Sequence, residues 1–128
     1  MALRFHNTLT RSVQEFAPLD PKGRQVGLYC CGPTVYDFAH IGNWRTFGFA
    51  DLVRRTLEFS GYDVRHVMNI TDVEDKIIKR VRETNTSLPE FTGKYETAFL
   101  EDLKALGCHR PHSPPRATAH CDTRVPRQ

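Results

Sequence analysis

The chain has 128 residues, of which 39% are hydrophobic and 26% are charged, with a formal net charge of +3. This composition is typical of one globular domain and excludes disorder throughout, and no segment has the pattern of a membrane span or a secretory signal. Residues 108–128 hold four arginines against one aspartate, so the rest of the chain is balanced and composition alone marks no nucleic-acid-binding surface.

Apolar spacing predicts alternating strands and helices in the first half of the chain. Alternation of apolar and polar residues predicts strands at 25–30 and 63–70. Between them, apolar residues three or four apart predict a helix from about 44 to 60, with Gly61 as its stop.

Two further helices are predicted from their capping sequences. Thr71 with Glu74, and Ser87 with Glu90, have the Ser/Thr-x-x-Glu spacing of a capping box, and apolar residues at helical spacing follow each pair. Prolines then crowd residues 108–128, which have almost no apolar periodicity and are expected to form an irregular tail.

This order of elements predicts an α/β fold. Two strands joined by a helix most simply form a parallel pair with a right-handed crossover. Parallel sheets normally have more strands and are covered on both faces, so the sequence resembles the first half of a larger sheet domain.

The segment after the first strand is the leading candidate for a binding site. In open α/β sheets, ligands bind beyond the carboxyl ends of the strands, and residues 31–43 lie there. Gly42 precedes a helix whose N-terminus could hold a phosphate, and His40 and Asn43 could add side-chain donors. From spacing alone, both a nucleotide site and a simple packed turn remain open.

Five stretches resemble one family in order and spacing. They are Phe5–Arg11, Cys31–Asp37, His40–Asn43, Asn69–Ile77 and Arg110–Thr118. Together they resemble the start of the catalytic domain of cysteinyl-tRNA synthetase, a class I aminoacyl-tRNA synthetase. The similarity is expected to run from about residue 5 to about residue 118 and to stop near there.

The resemblance implies a fold and an activity. It implies that residues 1–107 form the first half of a Rossmann-like parallel sheet domain, and residues 108–128 are expected to be the tail that their composition indicates. The family uses ATP to activate cysteine as an enzyme-bound adenylate and then esterifies the 3′ end of the matching tRNA. The implied cofactors are ATP, Mg²⁺ and Zn²⁺, and the implied partners are cysteine and tRNA in the cytoplasm. Four cysteines without a regular framework agree with that reducing compartment.

The implied site residues lie at the carboxyl ends of the two strands. His40 and Asn43 are the candidate catalytic residues, because adenylate formation needs donors aimed at the α-phosphate. The candidate ATP-binding residues are Gly32, Thr34, His40, Gly42 and Asn43. By resemblance, Cys31 is a zinc ligand and, with Thr71, borders the cysteine pocket; a thiolate on zinc distinguishes cysteine from serine.

Two departures from the family pattern bear on activity. Asn43 stands where the family's His-Ile-Gly-His signature has its second histidine, and an amide cannot carry a positive charge. No Lys-Met-Ser-Lys-Ser sequence occurs in these 128 residues. We therefore expect a truncated and inactive chain; the alternatives are a fragment of a cysteine:glucosaminyl-inositol ligase and a non-catalytic remnant that acts only as a binding module.

Each site residue also has a purely structural interpretation. Cys31 could be a small packed residue, and His40 and Thr71 could only cap helices. His66, on an apolar side of its strand, is expected to be a hydrogen-bonded structural histidine. A small metal site in the tail is the alternative to an unstructured tail; its ligands would be Cys108, His109, His112, His120 and Cys121.

Overall fold

Two small sheets and three helices form the part of the chain that the computed structural model describes, residues 2–120. In chain order these are β1 (Arg4–Asn7), β2 (Ser12–Glu15), β3 (Gln25–Cys30), α1 (Ile41–Phe59), β4 (Asp63–Met68), α2 (Asp75–Thr84) and α3 (Leu88–Ala105), followed by a 3₁₀ turn at Thr118–His120. None of the helices in these residues is long and apolar enough to cross a membrane.

The parallel strand pair is the centre of the fold. β3 and β4 pair in parallel, with Val26 opposite Val64 and Cys30 opposite Met68. The residues of β4 that face α1 are buried, whereas Arg65 on the other face is exposed. The predicted α/β unit is confirmed, and in the described residues one face of its sheet carries the helices.

Helix α1 begins three residues earlier than the periodicity predicts, because His40 caps it before its apolar stripe starts. Its end agrees with the prediction. Gly61 adopts φ +89°, its N–H donates to the carbonyl of Glu58 at 3.0 Å, and the N–H of Tyr62 donates to the carbonyl of Leu57 at 3.2 Å. A left-handed glycine after the last helical turn is a common helix stop.

One of the two predicted helix starts is confirmed. The Ser87 hydroxyl accepts the N–H of Glu90 at 3.4 Å at the start of α3. The Thr71 start is wrong: α2 begins at Asp75, and Glu74 caps it without a side-chain hydrogen bond. Thr71 is instead held in a parallel bridge to Thr34, which keeps its backbone extended.

The β1–β2 hairpin was not predicted. Its strands have four residues each and are almost wholly exposed, so they lack the apolar alternation that reveals a strand. The hairpin is held by aromatic contacts: Phe16 packs edge-to-face on Phe5 at 5.5 Å and on Tyr62 at 5.6 Å. These rings border the small core of Val26, Leu57 and Val64.

The segment after α3 runs beside β4 on the edge opposite β3. The N–H of Met68 donates to the carbonyl of Ser113 at 3.2 Å, and the N–H of Ile70 donates to the carbonyl of Pro115 at 2.8 Å. The N–H of Ala117 donates in turn to the carbonyl of Ile70 at 3.0 Å. The described part of the predicted tail therefore has little regular structure, yet its backbone is bonded to the sheet.

The larger core joins α1, β4 and α3. It consists of Phe47, Met68, Phe99 and Leu103, with Trp44 stacked on Phe99 at 5.2 Å and 9°. The indole N–H of Trp44 donates to the carbonyl of Ala39 at 3.2 Å. This core fixes α3 against the start of α1 and places both beside the carboxyl ends of the strands.

Candidate functional site

A cleft of about 360 Å³ lies at the carboxyl edge of the parallel pair. Its walls come from the turn between β3 and α1, the start of α1, the start of α2 and one side of α3. Four of the predicted site residues line it: Gly32, Thr34, His40 and Asn43. The volume is within the range of small-molecule sites, so the position and size agree with a ligand site.

Gly32 is required by the close approach of the two strand ends. A Cβ at this position would lie 1.8 Å from the carbonyl oxygen of Asn69 and 2.8 Å from Cγ of Met68. The N–H of Gly32 donates to Oδ1 of Asn69 at 3.2 Å, and the hydroxyl of Tyr29 donates to the same oxygen at 3.0 Å. The turn that lines the cleft is thus fixed to the end of β4.

Thr71 supports the cleft wall through its backbone. Its N–H donates to the carbonyl of Pro33 at 3.0 Å, and its carbonyl accepts the N–H of Val35 at 3.1 Å. Val35 is 1% exposed, so this bridge anchors the turn in the interior. Thr71 itself stands just outside the lining of the cleft, as do Cys31 and Gly42.

His40 and Asn43 cap α1 reciprocally. Nδ1 of His40 accepts the N–H of Gly42 at 3.0 Å, and Oδ1 of Asn43 accepts the N–H of His40 at 3.1 Å. A neutral imidazole has one N–H, so with Nδ1 accepting, the proton is on Nε2. A Cβ on Gly42 would lie 2.8 Å from Cε1 of His40, so the glycine also makes room for the ring.

This arrangement leaves donors at a helix N-terminus. His40 retains the Nε2–H, and Asn43 retains its side-chain NH₂ after its oxygen is used in the cap. Both residues are exposed, so these donors can reach solvent or a ligand. The N-terminus of the 19-residue α1 adds partial positive charge, and the combination favours an anion such as a phosphate.

Other charged and aromatic residues of the cleft were not identified from the sequence. They include Glu74, Lys76 and Tyr95. For Glu74 and Lys76 a signal existed, because they follow the second strand, whose carboxyl end lies at the same sheet edge as the first. Tyr95 comes from α3, and its place depends on long-range packing that local periodicity does not encode.

The described residues do not complete a metal site. Cys31 is exposed at the end of β3, whereas Cys30 packs against the core, and burial together with the neighbouring Cys31 raises the pKa of the Cys30 thiol. A structural zinc site needs four ligands, and among the side chains that the structure describes, those of residues 2–119, no three of His, Cys, Asp or Glu converge. Cys31 therefore offers one ligand, and zinc does not fit these residues alone.

Three of the tail residues considered as metal ligands, Cys108, His109 and His112, have other contacts. Burial raises the pKa of the Cys108 thiol, and the backbone N–H of His109 donates to Oδ1 of Asp51 at 2.8 Å. Nδ1 of His112 accepts the backbone N–H of His66 at 3.0 Å. Cys121 and the side chain of His120 lie outside what the structure describes.

A second polar cluster lies along the C-terminal half of α1, away from the cleft. Asp51 accepts Arg55 Nε at 2.6 Å, and Arg55 donates to the carbonyl of Gly107 at 2.6 Å. Arg54 donates to Glu58 at 2.8 Å and to the carbonyl of Arg110 at 2.9 Å. We call this cluster the clasp, because it fastens the segment after α3 to α1.

The electrostatics of the clasp follow from burial. Burial alone would raise the pKa of Asp51, but the hydrogen bonds from Arg55 and from the His109 N–H outweigh it and hold this pKa below its usual value. His66 lies beside the clasp and is 1% exposed, with no partner for either ring nitrogen in the described structure. The expectation of a hydrogen-bonded histidine is therefore wrong; burial, with Arg54 and His112 nearby, lowers the pKa of His66.

Comparison with known proteins places this chain in a family. The family model described as the class I (C) tRNA synthetase catalytic domain matches residues 16–126, so the expected end of the resemblance near residue 118 is wrong. The chain is 53% identical over 120 residues to the cysteine–tRNA ligase of Solibacter usitatus. The matched residues make up 94% of this chain and 25% of that protein. It is 51% identical over 116 residues to that of Brachyspira hyodysenteriae, covering 91% and 24%.

A third relative agrees with these two. The cysteine–tRNA ligase of Koribacter versatilis is 48% identical over 122 residues, covering 95% of this chain and 24% of the relative. The chain thus spans about a quarter of the length of the curated relatives it matches. A family match over residues 16–126, on an α/β unit with its cleft at the carboxyl edge of the strands, means that the chain belongs to the class I (C) tRNA synthetase catalytic-domain family.

Proposed function

We propose that this chain forms the nucleotide-binding and cysteine-binding side of a cysteine–tRNA ligase active site. In the complete enzyme, that site activates cysteine with ATP to cysteinyl adenylate and transfers it to the 3′ end of the tRNA in the cytoplasm. The names of the relatives support this reading over a cysteine:glucosaminyl-inositol ligase.

One observation carries the proposal: the hydrogen bond from the Gly42 N–H to Nδ1 of His40. It fixes the ring and leaves Nε2–H as a donor in the lining of the cleft, at the N-terminus of α1. Adenylate formation redistributes negative charge on the α-phosphate, and a fixed donor stabilises that charge without reorganisation. We assign His40 to this role, with the side-chain NH₂ of Asn43 as a second donor.

The remaining ligand assignments follow from position. Gly32 and Thr34 line the cleft and Gly42 adjoins it, which supports a role in binding ATP, with Mg²⁺ as its counter-ion. Thr71, bonded to the cleft wall, is proposed to border the cysteine pocket. Cys31 is proposed to supply one of the ligands of a zinc ion whose other ligands lie outside the described residues.

The 128 residues by themselves are proposed to lack ligase activity. Class I adenylate formation clamps the phosphates from two sides, and this sequence holds only the His40 side. We expect no cysteine-dependent exchange of pyrophosphate into ATP by the purified chain. Robust exchange would contradict this part of the proposal.

The catalytic assignment can be tested in a complete enzyme. Residues 1–120 would replace the matching part of the Solibacter usitatus ligase, to which they are closely similar; we call this protein the graft. His40→Ala in the graft should slow pre-steady-state adenylate formation about a hundredfold at saturating ATP and cysteine, the usual cost of one lost transition-state donor.

Two comparisons make that test specific. Asn43→Ala should slow the same step less, and Arg65→Ala, on the exposed face of β4, should leave it unchanged. If His40→Ala keeps the rate within about threefold while weakening cysteine binding, the α-phosphate role is wrong and His40 belongs to the pocket wall.

The zinc assignment has a separate readout. The graft should contain stoichiometric zinc, and Cys31→Ser should reduce its metal content, because one of four ligands is lost. Cys108→Ser is the matched control, since that half-buried thiol packs against the core. Stoichiometric zinc in the 128-residue chain that survives Cys31→Ser would point instead to the tail.

A further inference from the structure

The side-chain amide of Asn69 joins three residues where the two parallel strands end. Its Oδ1 accepts the N–H of Gly32 at 3.2 Å and the hydroxyl of Tyr29 at 3.0 Å. Its Nδ2 donates to Oγ1 of Thr71 at 3.2 Å. Asn69, Gly32 and Thr71 are all half-buried. One side chain therefore links the turn after β3 to a residue that is proposed to border the cysteine pocket.

The backbone decides which way this amide is turned. The N–H of Gly32 can only donate, so the amide atom that faces it is the oxygen. The atom that faces Thr71 is then the NH₂ group, which can only donate. A reversed amide would set this NH₂ group against the Gly32 N–H, with two donors and no acceptor. Oγ1 of Thr71 is consequently the acceptor in its bond with Asn69.

The extended backbone keeps the two side chains together. Thr71 forms a parallel bridge with Thr34, so residues 69–71 continue the line of β4. Side chains two residues apart in an extended chain lie on the same side, which brings Asn69 next to Thr71. Ile70, between them, faces the other side and is 1% exposed. The contact between Asn69 and Thr71 is thus fixed by the sheet and by a buried residue.

This contact leaves the Thr71 hydroxyl with a proton to donate. A hydroxyl has one O–H and two lone pairs, and the Asn69 N–H occupies one lone pair. The O–H must therefore point away from Asn69. Within residues 2–120, Oγ1 of Thr71 has no other hydrogen-bond partner. The hydroxyl is held in one direction and remains available to a ligand.

We propose that Asn69 is a positioning residue for cysteine binding, because it holds the Thr71 hydroxyl so that its O–H is offered to an anionic group of the amino acid. Asn69 itself does not contact the substrate. The carboxylate and the thiolate of cysteine accept hydrogen bonds, whereas its ammonium group only donates. This inference rests on the proposed function, in which Thr71 borders the cysteine pocket.

Asn69→Asp in the graft separates the two sides of the amide. A carboxylate keeps the acceptor for Gly32 and Tyr29 but has no N–H for Thr71, whose hydroxyl then donates to position 69 instead of to the amino acid. The Kd of cysteine, taken from pre-steady-state adenylate formation, should rise about tenfold, the usual cost of a hydrogen bond to a charged group. The Kd of ATP and the rate at saturating cysteine should stay within about threefold, whereas general damage to the cleft would alter all three.

A double-mutant cycle with Thr71→Val isolates the hydroxyl. Thr71→Val should weaken cysteine binding about tenfold by itself, and Thr71→Ser should retain most of the affinity. The charge that Asn69→Asp adds acts in both backgrounds, so in the Thr71→Val background the same change should cost at most about threefold. Tyr29→Phe is the matched control, because it removes another bond to the same amide and leaves the Thr71 contact; cysteine binding should stay within about twofold.

Cysteamine, which is cysteine without its carboxylate, distinguishes the two anionic groups. If the Thr71 hydroxyl donates to the carboxylate, Thr71→Val should leave inhibition of the graft by cysteamine unchanged. If it donates to the thiolate, Thr71→Val should weaken that inhibition as much as it weakens cysteine binding. Thermal unfolding of each variant verifies that the fold is retained, and Thr71→Val tests the hydroxyl without removing either bond to the Asn69 oxygen.

Three results would overturn the role of Asn69. Equal losses from Asn69→Asp in both backgrounds would mean that the amide acts independently of Thr71. Tighter cysteine binding by Asn69→Asp would mean that the hydroxyl accepts a bond from the ammonium group. A loss from Tyr29→Phe as large as that from Asn69→Asp would mean that the network only supports the turn. His40→Ala judges the proposed function separately: if it slows adenylate formation while one of these three results is found, the role of Asn69 alone is wrong.

Discussion

The two polar regions of α1 differ in what their hydrogen-bonding groups are used for. At its first turn, His40 and Asn43 are exposed, and each retains a donor beyond the cap. In its C-terminal half, Asp51 and Arg54 are buried and direct their groups at the chain itself. One helix thus presents donors to a cleft at one end and fastens the fold at the other.

The difference shows how burial decides between binding and stability. An exposed donor is hydrogen-bonded to water in the free protein, so leaving it without a protein partner costs little stability and keeps it available to a ligand. A buried carboxylate without partners would be strongly unfavourable, so Asp51 is satisfied by Arg55 and the His109 backbone. We therefore expect substitutions in the clasp to alter stability and those at the first turn to alter binding.

Asp51→Ala should have the largest effect on stability. The change leaves the His109 N–H and Nε of Arg55 without their acceptor and loosens the segment after α3. We expect the free energy of unfolding, measured by urea denaturation, to fall by about 3 kcal/mol. Glu101→Ala, an exposed residue of α3, is the control and should change it by less than about 0.5 kcal/mol. Equal effects would contradict the assignment of stability to the clasp.

Gly32→Ala should have the second-largest effect on stability, and it limits the contrast between the cleft and the clasp. Here the cleft region does contribute to stability, through close backbone approach rather than through exposed polar groups. A methyl at Gly32 would meet the Asn69 carbonyl at 1.8 Å, and overpacking of this kind costs about 2 kcal/mol. Gly48→Ala is the matched change: its Cβ would meet nothing within 4 Å, and alanine in a helix should stabilise by about 0.5 to 1 kcal/mol. In thermal unfolding, the Tm should fall for Gly32→Ala and rise for Gly48→Ala.

The parallel pair and its helices could be predicted from sequence because their signals are local. Alternation along β4 follows from burial of one side of the strand. In α1 the spacing revealed the helix but not its buried side, because Phe49 and Leu52 are exposed and the buried apolar residues are Phe47, Ala50 and Leu57. The site position followed from the same unit, because the carboxyl edge of parallel strands is where ligands bind. The family resemblance added the chemistry of His40 and Cys31, which spacing alone left open.

The parts of the fold that could not be predicted from the sequence depend on contacts between residues far apart in the chain. The Thr71 start failed because a bridge to Thr34 outweighs local capping preference. The clasp joins residues 56 and 58 positions apart, as between Arg54 and Arg110 or Asp51 and His109, and no local pattern indicates it. The segment around Pro115 has poor strand propensity. It lies beside the sheet because the N–H groups of Met68 and Ile70 donate to its carbonyls.

His66 should make stability depend on pH. The lowered pKa of the buried ring keeps it neutral in the folded chain, whereas the unfolded chain binds a proton near the ordinary value of 6.5. Stability from this group is therefore present above about pH 6.5 and is lost as pH falls below it, by at most about 1.4 kcal/mol per pH unit.

His66→Phe removes the titrating group and gives the test. The loss of unfolding free energy between pH 7.5 and 5.5 should be smaller in His66→Phe than in the unchanged protein. Because each protein is compared with itself at two pH values, any packing cost of phenylalanine cancels. Identical losses would show that protonation of His66 is not linked to unfolding.

Substitutions of Asn43 should have the smallest effect on stability. They should also separate the role of this residue in capping α1 from its role in binding ATP. Asn43→Ala loses only the exposed hydrogen bond from the His40 N–H, so stability should fall by about 0.5 to 1 kcal/mol. Asn43→Asp keeps an acceptor for that N–H and adds negative charge at a helix N-terminus, so stability should hold or rise slightly. The same charge would repel a phosphate, so ATP titration of the graft should show weaker binding for Asn43→Asp than for Asn43→Ala. If Asn43→Asp binds ATP as tightly as the unchanged graft, the phosphates do not lie at this end of α1.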